Sequence, residues 1–127
     1  MSQRVVQIAK FYPIDPATGR PKFPINAENE AKLTLYRMAD ILLLRAEALN
    51  WTGNKNGAFA IVNRIRTLRK ATPLVPANYA TQLDVEKAIL DERQLELFGE
   101  GKCWFDLVRT GRVLDVMDPL IRQRQKI

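Results

Sequence analysis

The sequence predicts an all-α chain of antiparallel helix pairs, preceded by an irregular N-terminal arm. Three observations carry that reading. From about Leu35 onward, apolar residues recur at intervals of three and four, glycine-centred stop signals punctuate them, and most of the prolines (Pro13, Pro16, Pro21, Pro24) lie upstream. The organisation is therefore an arm over residues 1–34 and a helical region over 35–127. With 127 residues, 46% of them hydrophobic, the chain is one domain's worth and can build a core.

In the arm, "FYPIDPATGRPKFPIN" sets apolar residues on either side of the turn-rich group Asp15-Pro16-Ala17-Thr18-Gly19. Proline holds the flanks to extended or edge conformations, which suggests a loose hairpin or a connecting segment. In the first helix Leu35, Met38, Leu42, Arg45 or Ala46, and Leu49 share a stripe, and Ile41, Leu43 and Leu44 add apolar surface on the other side. Such a helix needs cover on more than one face. Thr52-Gly53-Asn54 ends it, with Gly53 suited to the left-handed C-terminal position. Ala58, Phe59, Ile61, Val62, Ile65 and Leu68 define a second helix, antiparallel to the first, with Arg64, Arg66, Arg69 and Lys70 near the end where the helix dipole favours cations. Pro73 and Pro76 stop it, and "TPLVPANYATQ" is the long internal loop. Thr81 and Asp84 form a capping box for a third helix, in which Val85, Ala88, Leu95 and Phe98 share a face. Gly99 and Gly101 bend the chain into a short fourth helix ending near Gly111, and "VLDVMDPLIRQRQ" supplies one or two further turns. Helix pairs joined by short turns, each wanting neighbours on two sides, are the pattern of stacked helical repeats.

Composition excludes much chemistry. There is no histidine and Ser2 is the only serine, which removes a Ser-His-Asp triad, a Cys-His pair and a histidine-ligated zinc site. No cofactor motif is present, and Asp15, Asp115 and Asp118 lack the spacing of a calcium loop, so no metal site is expected. Cys103 is the single cysteine and cannot form a disulfide within the chain. The net charge of +6 is spread among interspersed signs, without the clustered basic face of a nucleic-acid binder. No apolar run is long enough to cross a bilayer, and the first residues do not have the order of a secretory signal.

The charged residues are the most informative. Glu92, Glu96 and Glu100 fall four apart, with Arg93 and Lys102 close by; acids from adjacent turns of one helix leave no opposing wall for a glycosidase, so a salt-bridged helix face is expected. Asp40 sits among Met38, Ala39, Ile41 and Leu42, where a carboxylate must find a cation; Arg66, Arg93 and Arg109 are its candidate partners. Trp104 and Phe105 are expected in the core, whereas Trp51, at a helix end, is a candidate for exposure.

Three ordered blocks, "YRMADILLLRAEALN" from Tyr36, "AFAIVNRIRTLR" from Ala58 and "AILDERQLELFGEGKCWFDLVRTGR" from Ala88, resemble the C-terminal region of SusD/RagB-type proteins. The resemblance covers about residues 35–112 and implies tetratricopeptide-like helix pairs. It also implies a non-enzymatic, lipid-anchored protein on the outer face of the outer membrane of Bacteroidetes. Such a protein binds oligosaccharide or another nutrient for a SusC-type, TonB-dependent β-barrel transporter. Complete members are several times longer, so the chain reads as a soluble fragment whose lipid anchor lies elsewhere. Under this reading Asp40, Glu92, Arg93, Glu96, Glu100, Asp106 and Arg109 are a structural charge brace, no residue is catalytic, and Trp51 and Tyr79 are the candidate sugar platforms. The rival reading is a soluble tetratricopeptide-like adaptor for a protein or peptide.

Overall fold

A computed structural model describes residues 15–20 and 34–125. Among the described residues five α-helices follow one another, α1 (Met38–Trp51), α2 (Lys55–Leu68), α3 (Gln82–Glu96), α4 (Lys102–Arg109) and α5 (Val113–Arg124), with a 3-10 turn at Pro76–Asn78. Among the described residues there is no strand. The chain divides into two compact units, Met1–Leu35 and Tyr36–Ile127. In the first unit the turn at Asp15 is built locally: its carbonyl accepts from the Gly19 amide at 2.8 Å, its carboxylate accepts from Ala17 N–H and Thr18 Oγ1, and Gly19 adopts φ +63°. The rest of the expected arm, including its proline-bearing flanks, lies outside the described residues, save Thr34.

Three helices end in the same way. After α1 the amide of Gly53 donates to Asn50 O and that of Asn54 to Leu49 O; after α4 Gly111 donates to Val108 O and Arg112 to Leu107 O. The pattern satisfies carbonyls that the helix leaves orphaned and needs a left-handed residue, which glycine supplies at least strain. α2 closes with the same two bonds but places Lys70 at φ +59°. Its end is thus set at Leu68 by this closure, upstream of Pro73, rather than by the prolines. Asn54 caps α2 by accepting from Gly57 N–H at 2.8 Å, and Thr81 and Asp84 make the reciprocal capping box of α3 at 2.9 and 3.1 Å. α5 is longer than the expected turn or two and carries Pro119 in its interior, where the missing N–H leaves one rung of the ladder unmade.

α1 packs between α2 and α3, α3 meets α4, and α4 meets α5. The core lies where the first three converge, with Leu43, Ala46, Ala58, Phe59, Val62, Ile65, Val85 and Ile89 all buried. Leu42, Leu49, Ile61, Leu74 and Tyr79 pack against its edge. In α2 the expected face is the buried one except for Ile61, which is partly buried, and Leu68, which is exposed. Elsewhere the apolar stripes are corrected by one position or more. The buried stripe of α1 is Asp40, Leu43, Ala46, Glu47 and Asn50, while Leu35, Met38, Ile41 and Leu44 are exposed. Leu95 and Phe98 are exposed as well, because α3 turns Glu92, Arg93 and Glu96 inward instead. Trp104 and Phe105, expected in the core, are 54% and 69% exposed. α4 faces inward through Asp106, whose two arginine partners fix the helix's rotation and send the aromatics outward.

Candidate functional site

The densest chemistry in the helical unit is a seam of buried acids and arginines joining α1, α2, α3 and the segment from Glu100 to Arg109. Its side-chain pairs range from 3 to 63 positions apart in sequence. Its centre is Arg93, 3% exposed, on α3. Nε donates to Asp106 Oδ2 at 2.9 Å, Nη1 lies 2.9 Å from Asp40 Oδ1 and donates to the Asp40 carbonyl at 3.2 Å, and Glu47 Oε1 stands 3.6 Å away. Lys102 Nζ reaches the other Asp40 oxygen at 3.1 Å and sits 3.9 Å above the Tyr36 ring. Neither cation meets the Asp40 carboxylate at a hydrogen-bonding angle, so this acid is held by charge attraction rather than by directed bonds.

Arg109 extends the seam. Its Nη1 and Nη2 donate to the two Glu47 oxygens at 2.6 and 2.7 Å in the parallel fork that guanidinium and carboxylate favour, while Nε and Nη2 donate to Asp106 Oδ1 at 2.9 and 2.7 Å. The bonds to Glu47 above all, with those to Asp106, raise the Arg109 pKa beyond its ordinary value. At the other end, Glu96 is gripped from two sides. Arg69 donates to both its oxygens at 2.9 and 2.6 Å, and Arg37 Nη1 donates at 2.6 Å while its Nη2 donates to the Glu96 carbonyl. Arg69's hydrogen bonds outweigh burial and, with Arg37's, lower the Glu96 carboxyl to about 2. Arg37 Nε also bridges both oxygens of Glu100 at 3.1 Å, and Arg66 Nη1 donates to Glu92 Oε2 at 2.6 Å while its Nε donates to the Thr72 carbonyl at 2.7 Å.

The seven acids and bases expected as a brace are all paired, in three groups: Asp40, Arg93, Asp106 and Arg109 together with Glu47 and Lys102, Glu96 and Glu100 with Arg37 and Arg69, and Glu92 with Arg66. Of the three arginines considered for Asp40, Arg93 is the partner, joined by Lys102; Arg66 and Arg109 serve other acids. Glu92, Glu96 and Glu100 do not form one helical stripe: α3 ends at Glu96, and Glu100 belongs to the glycine bend with Gly99 and Gly101 at positive φ. Arg37, Glu47 and Arg69 were missed by the sequence reading. Glu47 had a signal, seven residues after Asp40 and so on the same face of α1. A carboxyl held at about 2 stays ionised near neutrality and cannot donate a proton as a general acid, and Glu96's oxygens are already occupied by guanidinium groups.

The two aromatic candidates are not brought together. Trp51 is half exposed and donates its indole N–H to Glu86 Oε1 at 3.1 Å. Tyr79 is half-buried, its ring 5.0 Å from that of Phe59 and tilted by 41°, and its carbonyl accepts from Lys55 Nζ.

Residues 2–125 match the profile of the SusD family. The chain belongs to the SusD family. Among curated proteins it is similar to three SusD-like proteins of Formosa agariphila. It is 42% identical to SusD-like protein P38 over 99 residues, 72% of this chain and 20% of that protein. It is 36% identical to SusD-like protein P25 over 87 residues, 68% of this chain and 16% of that protein. It is 30% identical to SusD-like protein P2 over 118 residues, 88% of this chain and 23% of that protein. The chain therefore spans about a fifth of the length of these SusD relatives. No solved structure matches it. Among the described residues, no helix is long and apolar enough to cross a membrane.

Proposed function

We propose that this SusD-family chain is the helical scaffold of a nutrient-binding protein at the outer-membrane surface. The full-length protein captures oligosaccharide and passes it to a SusC-type, TonB-dependent β-barrel, without catalysing a reaction and held at the membrane by a lipid anchor. The single observation that carries this reading is the family match over nearly the whole chain. The seam supports it by being occupied: its acids are spent on arginines, which suits a brace between helices better than a reacting centre. Breaking one such pair would leave a buried charge uncompensated, so the network holds α3, α4 and the glycine bend in register against α1. Aromatic platforms of the Trp51 and Tyr79 kind are what a sugar-capturing surface requires.

The test is a mild-detergent pull-down of the tagged full-length protein from its own membranes, with mass spectrometry of the bound fraction. Recovery of a TonB-dependent barrel and a lipidated N-terminus is the expected result. Recovery from the soluble fraction with cytosolic partners overturns the reading in favour of a helical adaptor.

A further inference from the structure

A groove of about 500 Å³ opens between α3 and the loop that carries the 3-10 turn. α3 contributes Asp84, Lys87 and Asp91, and the loop contributes Leu74, Asn78 and Tyr79. The volume falls within the range of about 300–1,000 Å³ typical of small-ligand sites. Arg66 and Glu92, a pair of the seam, line it as well, whereas the six residues just named take no part in the seam.

The loop wall is fixed before any ligand arrives. The Asn63 side chain accepts from Leu74 N–H at 2.7 Å and donates to Leu74 O at 2.9 Å, so one amide holds both backbone groups of a loop residue. Lys55 holds the Tyr79 carbonyl and Phe59 packs against its ring. Opposite, Asp84 is positioned by the capping box. A wall held this way loses little freedom on binding, which favours affinity for a weakly interacting ligand.

The chemistry of the lining selects a class. Arg66 is matched by Glu92, and Lys87 stands among Asp84 and Asp91, leaving a small acidic surplus that disfavours anions. Asn78, Asp84, Lys87 and Asp91 are exposed and offer both donors and acceptors, while Tyr79 and Leu74 supply apolar surface. A neutral sugar presents the complementary combination, hydroxyls around its edge and C–H groups on its face. We infer that this groove is a contact site for a neutral oligosaccharide, with Tyr79 as its apolar platform and Asp91, Lys87 and Asn78 as hydroxyl partners. The assignment rests on the nutrient-capture reading and adds the place and charge class of the ligand.

The experiment is calorimetric titration of the full-length protein with malto-, cello-, manno- and xylo-oligosaccharides and with an anionic oligogalacturonate. Asp91→Ala and Lys87→Ala variants run alongside, and their melting temperatures are measured. A neutral oligosaccharide is expected to bind, and each variant to weaken it about tenfold or more at unchanged melting temperature, the size of a lost hydrogen bond to a charged group. Unweakened binding in both variants overturns the groove while leaving the nutrient-capture reading in place. Tighter binding of oligogalacturonate overturns the neutral class. No saccharide binding, with the barrel still recovered in the pull-down, overturns both the groove's ligand and oligosaccharide as the nutrient.

Discussion

The apolar core and the ionic seam share helices α1 and α3 and are comparably buried, yet they are held by different physics. Leu43, Phe59, Val62 and Ile89 are at most 2% exposed, and Asp40, Glu47, Arg93 and Asp106 at most 8%. In the first group contact is non-directional and scales with area removed from water. In the second, each charge has surrendered its hydration and recovers it only from partners standing at 2.6 to 3.2 Å. Equal burial therefore does not mean equal tolerance: the core accepts apolar side chains of suitable volume, and the seam accepts only the charge it was built for.

Arg93→Met tests the contrast most severely. It keeps volume and removes charge from between Asp40 and Asp106, and should cost about 3–5 kcal/mol in urea unfolding; a cost near that of a conservative core swap would erase the distinction. Acid titration comes next. Glu96 has a folded-state pKa near 2 against an ordinary 4.5, so its contribution is fully present above about 4.5 and lost as pH falls from there towards about 2. The loss is on the order of 2–3 kcal/mol, and Glu96→Gln should flatten the stability profile across that window. Leu43→Met, equally deep, should cost less than about 1.5 kcal/mol because shape and transfer energy are nearly conserved. Last, Arg122→Ala removes the 3.4 Å pair to Asp118 on the exposed face of α5, and its melting temperature should match the parent's. A measurable drop there would mean that burial is not what gives ion pairs their weight.

The same contrast explains what could be read from the sequence. The first four helices, the Gly53 and Gly111 ends and the Thr81–Asp84 capping box were legible because each is written in a few adjacent residues. The inward face of α2 was legible because only apolar residues occupy it, Leu68 aside. α1 and α3 misled the reading because their buried stripes alternate apolar and charged residues, and a search for greasy positions places the helix at the wrong rotation. Trp104 and Phe105 failed for a related reason. Hydrophobicity argued for the core, but the rotation of α4 is set by Asp106 against Arg93 and Arg109, a constraint that comes from residues remote in the chain. Of the seam, the Glu92 and Arg93 pattern was visible, whereas Arg37 and Arg69 had no local signature; nor had the Asn63 clamp on the loop. The groove was invisible, since its two walls meet only after α2 and α3 have packed.

The span of the seam's contacts also has a consequence in time. The α1–α2 hairpin joins neighbours through a three-residue turn and can close early, but Arg37 must find Glu100 across 63 positions and Arg109 must find Glu47 across 62. Closing loops of that length carries an entropic cost before any bond is made, which delays these pairs until the helices have already docked. The expectation is that these long-span pairs close late, and a contact that closes late is felt mainly in the unfolding rate, as a latch on how long the native state survives.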